Sequence, residues 1–123
     1  MKVKINFLIF AVMLILPFVS CKSTAQNATS TPGNNRMVVS FISKGNGINN
    51  QIHEQFEKFV QGHPKKPIME NYRWGREGEI DYCLQLKEFS KKDQVKFVDE
   101  VKKIIGNSDV VLLTENAPCV HKK

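Results

Sequence analysis

The sequence predicts an α+β sandwich in which a four-stranded antiparallel sheet carries two helices on one face. Three observations lead there. Apolar residues recur with a period of two, or run continuously, in four short segments, and with a period near 3.6 in two longer ones. The segments follow the order β-α-β-β-α-β. The middle two strands are separated by a short glycine-bearing stretch and therefore form a hairpin.

Each element has its own reason. Arg36 to Ser43, "RMVVSFIS", is β-branched and aromatic and ends at Gly45-Asn46-Gly47. From Ile48 the period changes: Ile48, Ile52, Phe56, Phe59 and Val60 make one helical stripe, stopped by Gly62 and Pro64. Pro67 to Trp74 alternates loosely, and Ile80 to Leu86 alternates well, with Gly75 and Gly78 between them. Ser90 stands three residues before Asp93, a short-armed capping box. Phe97, Val98, Val101, Ile104 and Ile105 continue that helix until Gly106 and Asn107 end it. Asp109 to Thr114, "DVVLLT", is a continuous apolar run expected to lie under helices.

This order is the ferredoxin-like, split βαβ arrangement. Right-handed crossovers place both helices on one side of the sheet. The other side is expected to be open to solvent. In the hairpin, Ile80, Tyr82, Leu84 and Leu86 should face the helices, with Asp81, Cys83 and Gln85 outward. Pairing Trp74 with Ile80 would put Asn71 and Arg73 on that outer surface beside Asp81, although it leaves Glu70 opposite Leu84 on the apolar side. Since a one-residue slip inverts the faces, this register is an expectation for the structure to decide. An outer face carrying Arg73 and Asp81 suits ligand or protein binding; equally, such a face is polar wherever water touches it. Tyr72 and Trp74, on an edge strand, serve packing or recognition.

The first residues concern address. Lys2 and Lys4 precede an apolar run from Ile5 to Val19, and Ser20-Cys21-Lys22 follows. A charged start, a short apolar region and a small residue before a cut define a secretory signal over residues 1–20. The run is shorter than the roughly 20 residues of a spanning helix. Phe18-Val19-Ser20-Cys21 resembles a bacterial lipoprotein signal of the looser Bacteroidetes type, with Phe18 and Val19 departing from the strict leucine and small-residue pattern. That resemblance implies lipidation of Cys21 and a cell-envelope location on the periplasmic or outer-surface side. Several acyl chains, each adding roughly 0.8 kcal/mol per methylene, hold a protein on a membrane without a spanning helix. From Lys22 to Asn35, "KSTAQNATSTPGNN" has no large apolar residue to offset ordering entropy. Residues 21–35 therefore read as the anchor residue and a flexible linker, and 36–123 as the domain.

Removing Lys2 and Lys4 from the 18 basic residues, against 12 acidic ones, lowers the net charge from +6 to +4. The lysines are interspersed with acids, and no basic patch with interleaved aromatics points to nucleic acid. The implied partners are a membrane, through the lipid, and a protein or small ligand.

With Cys21 assigned to lipid, Cys83 and Cys119 remain. An even pair outside the cytoplasm reads as a disulfide. The strands they belong to or follow are not adjacent, so the segment after Pro118 would have to fold back across the sheet. Free thiols or a metal pair are the alternatives. Cys119-x-His121 alone is a weak metal signal, and no metal site or cofactor is assigned. His53 and His63 read as surface residues.

Lys44, Gly45, Asn46 and Gly47 link a strand to a helix start, where backbone amides suit an anion. Acylphosphatases use the equivalent loop of this fold to bind phosphate, with an arginine as clamp; this loop has Lys44 but no arginine. It also departs from GxxxxGK[ST], and the glycines are accounted for equally by the turn. No Ser/His/Asp or Cys/His set has suitable spacing, so no catalytic residue is assigned. The leading reading is a lipid-anchored binding or interaction module. Alternatives are an acylphosphatase-like hydrolase using Lys44, Asn46 and Arg73, or an inhibitor. The layout around "FSKKDQVKFVDEVKKIIGNSDVVLLTEN" is similar to that of propeptide-like inhibitors of subtilisin-type proteases, an architectural likeness without a specific motif.

Overall fold

A computed structural model of the chain describes residues 33–123; the expected leader over 1–20, Cys21 and most of the expected linker lie outside the described residues. The elements are β1 (Asn35–Phe41), α1 (Asn50–Gly62), β2 (Met69–Arg73), β3 (Ile80–Leu84), α2 (Lys91–Ile105) and β4 (Val111–Ala117). The strand order is β2-β3-β1-β4, with every neighbouring pair antiparallel. This is the ferredoxin-like fold. Among the described residues no helix is long and apolar enough to cross a membrane.

The helices begin where side chains can satisfy free backbone amides. The Asn49 side chain accepts from the Ile52 amide at 3.1 Å, and Ser90 Oγ accepts from the Asp93 amide at 3.2 Å. Ser90 Oγ also donates to the Asp93 carboxylate at 2.8 Å. Asp93 lies in the first turn, and Lys102 and Lys103 lie in the last, both favourable to the helix dipole. Lys65 meets Asp93 at 2.6 Å and ties the end of α1 to the start of α2.

The core fills the space between the helices and the inner sheet face. Met37, Val39 and Phe41 of β1, Ile80, Tyr82 and Leu84 of β3, and Val111 of β4 meet Phe56 and Val60 of α1 and Phe97, Val98, Val101 and Ile105 of α2. Leu86 adopts φ +55° yet is fully buried. A left-handed leucine is strained. Here its carbonyl accepts from the Phe89 amide at 3.1 Å and from Gln94 Nε2 at 2.9 Å, and burial of the side chain offsets the remaining cost.

The structure corrects several expectations. Arg73, not Trp74, pairs with Ile80, and Tyr72 faces Asp81. The slip moves Asn71 and Arg73 to the helix side and puts Glu70, opposite Cys83, on the outer side. This removes the misfit of Glu70 against Leu84. The "DVVLLT" run is an edge strand whose inner side, with Val111 and Leu113, packs on the core as expected, while Leu112 on its outer side is half exposed. The outer sheet face is not open along its length: Val38, Asp81 and Cys83 point to it and are buried.

Candidate functional site

What covers the outer face is the segment after β4. Asn116 sits at φ +53°, a conformation asparagine tolerates, and Pro118 cannot donate to a ladder. The chain therefore leaves the β4 edge and turns across β1 toward β3. Cys119 reaches Cys83 and the two form a disulfide, with Cα atoms 6.0 Å apart. Lys122 N–H donates to the Cys119 carbonyl at 3.4 Å, closing a turn that presents His121 to the sheet.

At the centre of this strap Asp81 is 0% exposed. A buried carboxylate must be hydrogen-bonded. Trp74 Nε1–H donates to Asp81 Oδ1 at 3.1 Å, and His121 Nδ1 lies 2.6 Å from Oδ2. Because an ionised carboxylate only accepts, the proton of that second bond belongs to His121 Nδ1. The imidazole also lies flat on the indole, with centroids 4.2 Å apart and planes 13° apart. Carboxylate, indole and imidazole thus fix one another.

The strap continues to the β2 edge. Lys122 Nζ meets Glu70 at 3.1 Å and sits 5.9 Å from the Tyr72 ring centre, while Tyr72 donates to Glu70 at 2.8 Å. The Tyr72 hydroxyl and the Lys122 ammonium hold the Glu70 carboxyl below its usual range, and Glu70 raises Lys122 in turn. Two hollows flank the strap. One, of about 360 Å³, is lined by Arg73, Trp74, Val120, His121, Lys122 and Lys123. The other, of about 250 Å³, lies beside Cys83, Glu70 and exposed Ile68.

The candidates read from the sequence fall in three places. Asp81 is the buried centre of the strap site and no free surface group. Arg73 is on the opposite sheet side from Asp81, but at the strand end it reaches the rim of the same hollow. Lys44, Gly45, Asn46 and Gly47 lie apart from both. Gly45 and Gly47 have φ +103° and +79°, so the turn itself needs them. Around that loop Ser43 donates to Glu77, and Lys44 pairs with Asp109 at 2.5 Å. The Asn49 side chain already caps the helix start. A carboxylate at the loop and a lysine already paired oppose anion binding there.

A second polar cluster lies under α1. Tyr82 donates to Glu57 at 2.6 Å, and His53 Nε2 lies 2.7 Å from the Tyr82 oxygen. Burial, then the Glu57 carboxylate, push the Tyr82 hydroxyl well above its usual pKa. His53 is therefore no surface residue; its place three before Phe56 puts it at the margin of the apolar stripe. His63 likewise packs among Phe59, Phe89 and Phe97, with ring centroids 5.1 to 5.8 Å away. His121 carries no sequence signal beyond the weak Cys119-x-His121 spacing. Among the described residues no group of three histidine, cysteine or acidic side chains could hold a metal ion.

No protein-family model, no curated protein and no solved structure matches this chain.

Proposed function

We propose that this protein is a lipid-anchored binding module of the cell envelope, held by Cys21 and presenting the strapped outer face of its sheet to a partner. The observation that carries the reading is the Cys83–Cys119 disulfide with the Trp74–Asp81–His121 site it braces. Disulfides of this kind persist in oxidising compartments, in keeping with the leader expected from the sequence. A rigid, cross-linked face with exposed Ile68, Trp74 and Val120 at its margin suits recognition. Such a surface acts without moving, so its binding costs little ordering entropy.

Two measurements test this. Mass spectrometry of the mature chain should find acylated Cys21 at its N-terminus. Capture of envelope components by the full chain should be lost with Ile68→Glu and Val120→Glu, both at exposed positions. A mature chain starting elsewhere would overturn the anchor, and capture indifferent to both changes would overturn the face.

A further inference from the structure

We propose that the hollow between Trp74 and the strap is a site for a small oxyanion, a carboxylate or phosphate group of the ligand. The proposal rests on the outer face being the binding face, and it names the chemistry recognised there.

The argument begins with charge. The hollow of about 360 Å³ is lined by Arg73, His121, Lys122 and Lys123 together with Trp74 and Val120, with no aspartate or glutamate among the lining residues. In a surface where acids and bases alternate, one-sided lining by cationic or protonatable side chains is selective for anions. Arg73 makes no ion pair among the described residues, so its planar fork of donors is available to an oxyanion. Lys122 is shared with Glu70 and supplies field more than a direct bond.

Geometry adds direction. His121 is held through Nδ1 by Asp81, which is fully buried, and by the stacked indole of Trp74. The ring cannot rotate without breaking both contacts. Its other nitrogen, Nε2, has no partner among the described residues. With its Nδ1–H engaged by Asp81, a neutral ring offers only an acceptor at Nε2, so His121 serves as a fixed wall of the hollow and the donors to an anion are Arg73, Lys123 and, in lesser part, Lys122. Trp74, 40% exposed, and Val120, 74% exposed, give an apolar border suited to the hydrocarbon part of a carboxylate or phosphate ester.

The position of this site differs from the glycine loop that the sequence suggested. There the anion would meet Glu77, and Lys44 is taken by Asp109. At the strap, by contrast, Arg73 and Lys123 line the hollow without an ion-pair partner among the described residues.

The test uses the full chain in detergent, titrated at constant ionic strength with inorganic phosphate, with succinate, and with chloride as a control for screening. The readouts are the Trp74 indole N–H and His121 imidazole resonances. Saturable shifts with phosphate or succinate, and none with chloride, are expected; which of the two binds more tightly identifies the headgroup. Arg73→Gln, at an exposed position, should weaken binding about fivefold, the scale of one exposed ion pair. Lys44→Gln should leave it unchanged. Equal shifts with chloride, no saturation, or binding lost with Lys44→Gln and kept with Arg73→Gln would each overturn the proposal. Capture of a protein partner by the outer face would remain a separate result, so the two failures are distinguishable.

Discussion

Asp81 and His121, forty residues apart in sequence, meet at 2.6 Å beneath a strap that a disulfide pins to the sheet. Removing either partner leaves the other without its hydrogen bond, and for the fully buried carboxylate that is costly. Asp81→Ala and His121→Ala should each destabilise the fold by about 1–3 kcal/mol. Their double mutant should lose less than the sum, with a coupling of about 1 kcal/mol or more. Urea unfolding of the four proteins measures it. Strict additivity would mean that the contact contributes nothing.

The disulfide closes a loop of sequence separation 36. Cys83→Ser or Cys119→Ser should lower stability by about 3–4 kcal/mol on the chain-entropy account. Because Trp74 stacks on His121 two residues beyond Cys119, the same variants should also change Trp74 fluorescence in the folded state. Unfolding curves with and without a thiol reductant provide an independent comparison. Stability and fluorescence both indifferent to reduction would show that the strap holds without its cross-link.

Glu115 pairs with Arg36 and Lys102, each at 2.6 Å. Hydrogen bonds from Lys102 and then Arg36 hold its carboxyl below the usual range. A folded-state pKa below the unfolded one gives a contribution present above the unfolded value and lost as pH falls through the folded one. Glu115→Gln should therefore lower stability at neutral pH, with the difference from the parent shrinking below about pH 4. Unfolding midpoints across that range decide it; a gap that widens toward acid would contradict the pairing.

Tyr82 is held neutral by burial and by Glu57. A raised folded-state pKa means a contribution that is full below the unfolded value of about 10 and fades as pH rises above it. Ultraviolet titration should show its ionisation only together with alkaline unfolding, and Tyr82→Phe should remove that step. Ionisation of Tyr82 in a folded chain near its ordinary pKa would place the hydroxyl in water.

Much of the architecture was legible from local pattern. The stripe of Ile52, Phe56, Phe59 and Val60 marks α1, and Ser90 with Asp93 marks the start of α2, because helix periodicity and capping act within a few residues. The alternation of Ile80, Tyr82 and Leu84 fixed which side of β3 is apolar. Pairing is a relation between segments, so Arg73 and Asn71 went to the wrong face: β2 is a weakly patterned edge strand, and only contact with β3 sets its register. Asp81 and His121 were both visible as residues, yet nothing local joins them. The link exists because Cys83 and Asp81 share a face two residues apart, about 7 Å along the strand. The Cys83–Cys119 link brings the chain close enough for His121, two residues on, to reach Asp81. The sequence by itself determined the elements, their order and the apolar sides of α1, α2 and β3, since these follow from short-range sterics and hydrophobic period. The tertiary structure alone decided register, the path of the strap and the burial of Asp81, since these depend on surfaces that meet only after the chain has closed on itself.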